Sequence, residues 1–478
     1  MALSVTRTRQ SLVRPWEKTP LTRLDLSVMD KIPVLRCMAR TVHVYRYGND
    51  EGAGCRVIRE ALSRALVPYY PLGGRLIQSA AELQVECCGQ GVWLVEAYTS
   101  ATLHSLNYLE HASSSSSSSS SIPYDYDDLL PPDHHHHFSE SQSQLGNDEP
   151  LVQMQVTGFA CGGLVMGLKF SHTICDGLGA AQFLKAVGEL ARGLEQPSIA
   201  PVWHRHFIAS STNSTGHCQN IDVVPNYSMI DHRLEQTNID ISIDNINKLK
   251  QEFEESTGGH RRRCSVFEIV AASFWRCRTQ AILNQTNNNK QAQVMMMTLV
   301  FFANCRHLME PPLPEGFYGN CFFPVVVKAP SEWLAGPSTS VVDVVKLVQE
   351  AKAKLPNQVA KYLNKRKQNN TTSTCTSITF NSHSDESDDH QGDIDDPFAP
   401  PLGYTTLFLS EWGRLGFNQV DFGWGSPLHI VPIQGSSFIP AGIMGCLPFP
   451  NKGVRLMTWC VDEAHRQPFI HHMIKLFP

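Results

Sequence analysis

The residues best suited to chemistry lie in one short stretch, Phe170-Ser171-His172-Thr173-Ile174-Cys175-Asp176-Gly177. An alcohol or amine that attacks a carbonyl must lose a proton as it does so. A neutral imidazole, with an unperturbed pKa near ~6.5, is the side chain best matched to take that proton near neutral pH. A positioned base contributes roughly 10²–10⁴-fold. Asp176, four residues on, suits a different task, holding the turn. The pattern His-x-x-x-Asp is short and recurs by chance, and a lone histidine after a strand is more often structural than catalytic. A metal site is the rival use of His172 and Asp176, but no third ligand stands at a sensible spacing.

The flanking elements place this histidine. Gly163 to Phe170 is a mostly apolar run and reads as a buried strand. Gly177 and Gly179 offer a tight turn, and from Leu178 to Arg192 the residues Ala181, Leu184, Val187 and Ala191 recur at helical spacing. His172 therefore leaves a strand end and precedes a helix. Ala39 to Tyr45 alternates apolar with polar residues, as a half-buried strand does. Cys55–Leu66, Asp244–Phe253, Ser265–Arg276 and Val341–Lys354 carry helical stripes. Leu83–Cys87, Val92–Ala97, Val294–Ala303, Thr405–Leu409 and Gly453–Cys460 read as strands. Strands and helices mixed in both halves argue for an α/β protein built of sheet-based layers.

At 478 residues the chain is long for a single core. A net charge of −5 gives no basic footprint for nucleic acid or an anionic membrane. No apolar segment is long enough to span a bilayer, and Met1 to Pro20 lacks the apolar run of a signal peptide. Fourteen cysteines without a framework spacing fit reduced thiols, hence a cytoplasmic chain. Residues 111–148, with unbroken serine from Ser113 to Ser121 and four histidines from His134 to His137, read as a low-complexity loop. Residues 201–226 read as a crossover linker between an N-terminal domain, 1–200, and a C-terminal domain, 227–478, which itself carries a polar insertion at 365–397. Arg261-Arg262-Arg263 before the Ser265 helix is either a solvated cap or a phosphate contact.

Further segments make the pattern specific. Asp421-Phe422-Gly423-Trp424-Gly425 follows far downstream of His172, and Asn304-Cys305-Arg306 lies between them. With Tyr70 to Leu76 and Pro311 to Asn320, they resemble the plant BAHD acyl-CoA-dependent acyltransferases over nearly the whole chain outside the two insertions. Cys161-Gly162-Gly163 through Arg192 looks most like the branch that contains taxane and benzyl-alcohol acyltransferases.

That resemblance implies two chloramphenicol-acetyltransferase-like domains, each a mixed β-sheet with flanking helices, and an active-site channel between them. It implies acyl-CoA as co-substrate, no bound cofactor, no metal, a small-molecule alcohol or amine as partner, and a monomer. His172 would be the general base, with no acyl-enzyme, so that Cys175 need not be a nucleophile. Trp412 would donate its indole N–H to the oxyanion, with Ser410 as helper; plain core packing is the competing use of Trp412. Asp176, Arg306, Asp421, Gly423 and Gly425 would be structural, with Arg306 pairing Asp176 in preference to Asp421. Arg263 and Ser265 would meet the CoA. A non-catalytic binding member of the same fold, or an enzyme using another acyl donor, remains open at this point.

Overall fold

The computed structural model describes residues 3–47, 53–79, 82–110, 126–133, 148–207, 231–258, 263–286, 295–369, 397–398, 400–433 and 439–478. Fifteen strands among them form three sheets. The first sheet orders, from edge to edge, β1 (Thr6–Val13), β6 (Val92–Thr99), β7 (Val152–Phe159), β8 (Leu164–Ser171), β3 (Met38–Tyr45) and β13 (His429–Pro432). The second orders β11 (Phe322–Pro330), β10 (Met296–Asn304), β12 (Thr406–Glu411), β14 (Ala441–Cys446), β15 (Gly453–Val461) and β9 (Glu235–Ser242). Each mixes parallel and antiparallel pairs. A small sheet joins β2 (Arg23–Asp25), β5 (Glu82–Glu86) and β4 (Arg75–Ser79).

The helices are α1 (Ala53–Ala65), α2 (Gly177–Ala191), α3 (Ile243–Ser256), α4 (Val266–Thr286), α5 (Ser331–Ala335), α6 (Val341–Ala353), α7 (Leu355–Asn369) and α8 (Glu463–Leu476). The apolar stripes of α1 and α2 meet over the first sheet, where Ile58, Leu62, Phe183, Leu184 and Val187 are buried. Those of α3, α4, α6 and α8 share the core of the second sheet.

The sheets are not cut cleanly at the linker. β13 comes from the C-terminal half yet pairs antiparallel with β3, His429 opposite Val44. Helix α2 is approached from the same half at both ends. A Cβ on Gly179 would stand 1.9 Å from the Tyr318 carbonyl oxygen, and one on Gly188 would stand 2.4 Å from that of Asp421. Only glycine allows backbone that close.

Four expectations change. Strand β3 is buried on both faces from Thr41 onward rather than half-buried, because Leu103, Leu129 and Leu130 cover the face opposite the helices. The polar residues it buries satisfy each other in part: Thr41 Oγ1 and His43 Nε2 stand 2.9 Å apart. Within the 111–148 segment, 126–133 is packed structure. Tyr126, Leu129 and Leu130 form an apolar island, buried and anchored by Gln155 donating to the Asp128 carbonyl at 2.7 Å. The serine and histidine runs themselves lie outside the described residues. Finally, 365–369 belongs to α7 rather than to the polar insertion, and within the crossover Arg205 is almost fully buried.

Burial of His43 gives the fold a pH signature. Its pKa is lowered to about 3 by loss of solvation, so the native ring stays neutral where the unfolded ring would protonate. Between pH ~6.5 and ~3 the unfolded state binds the extra proton, and stability falls by up to ~1.4 kcal/mol per pH unit from this group. Urea unfolding across that window should show a steeper loss for wild type than for His43→Gln; equal slopes would contradict the assignment.

Candidate active site

β8 ends at Ser171 and α2 begins at Gly177, so the chain turns through His172 to Asp176 between them. A helix start leaves amides without intrahelical partners. Asp176 supplies one as N-cap, its Oδ1 accepting from the Gly179 amide at 3.0 Å. The same carboxylate faces the C-terminal half. Arg306 Nη2 donates to Oδ1 at 2.8 Å and to the Gly319 carbonyl at 2.6 Å, and the Cys321 amide donates to Oδ2 at 3.2 Å. Burial alone would lower the Arg306 pKa, but the Asp176 carboxylate outweighs it and holds it above the ordinary value.

Three successive carbonyls of the turn are held by side chains. Asn320 Nδ2 donates to His172 at 2.9 Å and to Thr173 at 3.3 Å, and Arg205 Nη2 donates to Ile174 at 2.6 Å. Asp30 supports both donors: its Oδ1 accepts from Asn320 Nδ2 at 2.8 Å and stands 3.5 Å from Arg205 Nη1, with both charged side chains fully buried. The Arg205 guanidinium lies 4.1 Å from the centre of the Trp203 ring. The amide of His172 donates to the Cys37 carbonyl at 2.9 Å.

The imidazole so placed is half-buried and meets Phe322 edge-on, ring centres 6.4 Å apart. Its Nδ1 is buried with no hydrogen-bond partner among the described residues. Cys175 beside it is buried, and burial pushes its thiol well above the usual range, which removes the thiolate that nucleophilic chemistry needs. No group of three His, Cys, Asp or Glu side chains able to hold a metal occurs among the described residues, and no described helix is long and apolar enough to cross a membrane.

Ser410 and Trp412 project from the same side at the end of β12, where strand alternation puts residues two apart on one face. The indole N–H donates to Ser410 Oγ at 3.1 Å. Leu415, three residues on, packs at the start of α2: a Cβ on Gly177 would meet its Cδ1 at 2.5 Å. Trp412 also lines a cavity of about 400 Å³ with Phe417, Asn418, Ile430, Leu447 and Met457; His172 is not among its lining residues.

Asp421 stands away from Arg306. Its Oδ1 accepts from the Gly423 amide at 2.8 Å and the Gly425 amide at 2.9 Å, a bend in which both glycines have positive φ, +111° and +96°. Arg192, the C-cap of α2, donates to the Asp421 carbonyl and lies 4.0 Å from its carboxylate. Ser265 caps α4: its Oγ accepts from the Glu268 amide at 3.2 Å, and Glu268 Oε2 accepts from the Ser265 amide at 2.9 Å. Arg263 is exposed two residues earlier, and Arg261 and Arg262 lie outside the described residues. Sequence reasoning gave no role to Asn320, Asp30 or Arg205. Asn320 sits in the Pro311–Asn320 segment already singled out, whereas nothing in Trp203-His204-Arg205 distinguishes it from linker.

The model of the Transferase family matches residues 3–472. Acyl transferase 4 of Oryza sativa subsp. japonica is 35% identical, with 98% of each chain covered. The 3'-N-debenzoyl-2'-deoxytaxol N-benzoyltransferase of Taxus canadensis is 31% identical over 96% of this chain and 93% of its own. Among solved structures, vinorine synthase superposes with a TM-score of 0.68 at 19% identity, covering 99% of this chain and 98% of its own. F. sporotrichioides TRI101 complexed with coenzyme A and T-2 gives 0.62 at 13% identity, covering 94% and 97%. The chain is a member of the Transferase family, an acyltransferase of the BAHD type.

Proposed function

We propose that this enzyme moves an acyl group from acyl-CoA to a hydroxyl, or an amine, of a plant specialised metabolite by direct attack, with His172 as general base. The observation that carries the reading is the half-buried imidazole on a turn whose carbonyls are held by the C-terminal Asn320 and by Arg205 of the crossover. The relative from Taxus canadensis is named an N-benzoyltransferase, and the similar TRI101 structure carries coenzyme A; both support the class of reaction and of donor.

The chemistry follows from the residues. The acceptor gives its proton to the imidazole as its oxygen or nitrogen attacks the thioester carbon. The tetrahedral oxyanion is stabilised by donors arranged in advance, each worth roughly 3 kcal/mol. Ser410 accepts the hydrogen of Trp412 and so keeps its own O–H to offer, and the pair acts together as the oxyanion donor. Collapse of the intermediate expels the CoA thiolate, which takes the proton from the imidazolium. No acyl-enzyme forms, in keeping with the high thiol pKa of Cys175. Arg263, exposed ahead of α4, is the candidate contact for a CoA phosphate, while Ser265 serves the helix cap.

Two substitutions separate proton transfer from scaffolding. His172→Ala should lower kcat by roughly 10²–10⁴-fold, with an unfolding midpoint near wild type, measured by free-thiol release with acetyl-CoA or benzoyl-CoA and an alcohol panel. Near-wild-type turnover would refute the general base. Arg306→Ala leaves the Asp176 carboxylate, only 11% exposed, without its cation. It should cost roughly 3 kcal/mol in urea unfolding; an unchanged midpoint would remove Arg306 from the scaffold.

A further inference from the structure

Hydrogen bonds to the backbone of a histidine fix where its Cα sits, but they leave the two side-chain torsions to other forces. Where a base is oriented by hydrogen bonding, a third group holds its far nitrogen. His172 has no such group among the described residues, since its Nδ1 is buried without a partner. Asp176 cannot serve. Its Oδ1 is committed to the Gly179 amide and to Arg306, and its Oδ2 to the Cys321 amide. With Nδ1 enclosed, Nε2 is the nitrogen left to meet an acceptor, and the plane of the ring has to be set by packing.

The ring that packs there is Phe322, edge-on to the imidazole with 6.4 Å between centres and 76° between planes. Aromatic pairs favour this arrangement. Phe322 opens β11, opposite Asn304 of β10, so its backbone is tied into the sheet. Its side chain is held by two further rings, Phe302 at 5.3 Å and Phe398 at 6.3 Å. Phe398 is braced in turn by Tyr362 of α7 at 5.5 Å. Three consecutive residues thus reach the His172 turn. Asn320 Nδ2 donates to the His172 carbonyl at 2.9 Å, the Cys321 amide donates to Asp176 Oδ2 at 3.2 Å, and the Phe322 ring meets the imidazole. One stretch of chain holds the backbone of His172 and also faces its side chain.

We propose that Phe322 is a positioning residue for the reaction: its ring sets the plane of the His172 imidazole, the task that an orienting carboxylate would perform elsewhere. The proposal rests on the reading of His172 as general base. An aliphatic side chain at 322 fills much of the same space but offers no flat edge, so it leaves the imidazole room to turn.

The test compares Phe322→Leu, Phe322→Tyr and Phe323→Leu on the full chain. Phe323 is next on the same strand and packs in the core of the second sheet, on the face away from Phe322, so its loss lowers stability without touching the turn. Turnover is read by free-thiol release with acetyl-CoA or benzoyl-CoA and the alcohol panel. The His172 ring is read by NMR of protein labelled at histidine Cε1, its signal identified by its loss in His172→Ala. Phe322→Leu should lower kcat about ten-fold or more, leave the KM of donor and acceptor as in wild type, and broaden or double the His172 signal. Phe322→Tyr, which keeps the ring, should recover both. Phe323→Leu should lower the urea midpoint while kcat and the single His172 signal persist. An unchanged kcat in Phe322→Leu, a rise in KM that accounts for the loss, or an equal loss of kcat in Phe323→Leu would overturn the proposal. An unaltered His172 signal in Phe322→Leu beside an inactive His172→Ala would overturn the role of Phe322 alone. Full turnover in His172→Ala would instead overturn the general base, and the role of Phe322 with it.

Discussion

The structure depends on finding donors for three buried backbone oxygens. Where β8 ends, the carbonyls of His172, Thr173 and Ile174 leave the sheet ladder and cannot be left unpaired in the interior. Asn320 and Arg205 supply the hydrogens, and Asp30 orients the one and attracts the other. Arg205 Nη1 makes no hydrogen bond in spite of its 3.5 Å approach to Asp30, so that attraction is Coulombic. A buried ion pair of this kind is weak evidence for stability, because desolvation offsets much of the attraction. Its value here is geometric: it fixes donors drawn from distant parts of the chain onto one short turn.

The same logic governs α2. Asp176 starts the helix and, through Arg306 and Cys321, ties that start to the C-terminal half. Arg192 ends it and meets the bend built by Asp421 on Gly423 and Gly425. Glycines 179 and 188 let the opposing backbone approach to contact. The histidine therefore sits at the head of a helix fixed at both ends by the other half, while the strand exchange of β13 joins that half to the first sheet. A side chain held this way has little reorganisation left to undergo, which is what a positioned general base, the role proposed for His172, requires.

Much of this was legible in the residues. The apolar run before His172, the helical stripe after it, and the paired His172 and Asp421 segments identified strand, turn, helix and family. Asp176 as the holder of the turn followed from its place four residues on. What escaped was long-range. Asn320 and Arg205 act on carbonyls more than thirty residues away along the chain, Asp30 acts through both of them, and no periodicity encodes such partners. Arg205 lies in a Pro- and Ser-rich stretch that reads as linker until its counter-charge is known. Strand β3 read as half-buried because Thr41 and His43 are polar, and only the packing of Leu103, Leu129 and Leu130 reveals the second covered face. Asp421 and Arg192 meet for the same reason, by tertiary approach rather than by spacing.

With His172 as the proposed base, Asn320 acts on the reaction through the placement of His172 and not by itself. A double-mutant cycle in turnover tests this most directly, with Asn320→Ala introduced into wild type and into His172→Ala. The expected result is a fall in kcat of about ten-fold or more in wild type and almost none in the His172→Ala background, since two residues that work as one unit are strongly non-additive. An equal fall in both backgrounds would contradict it.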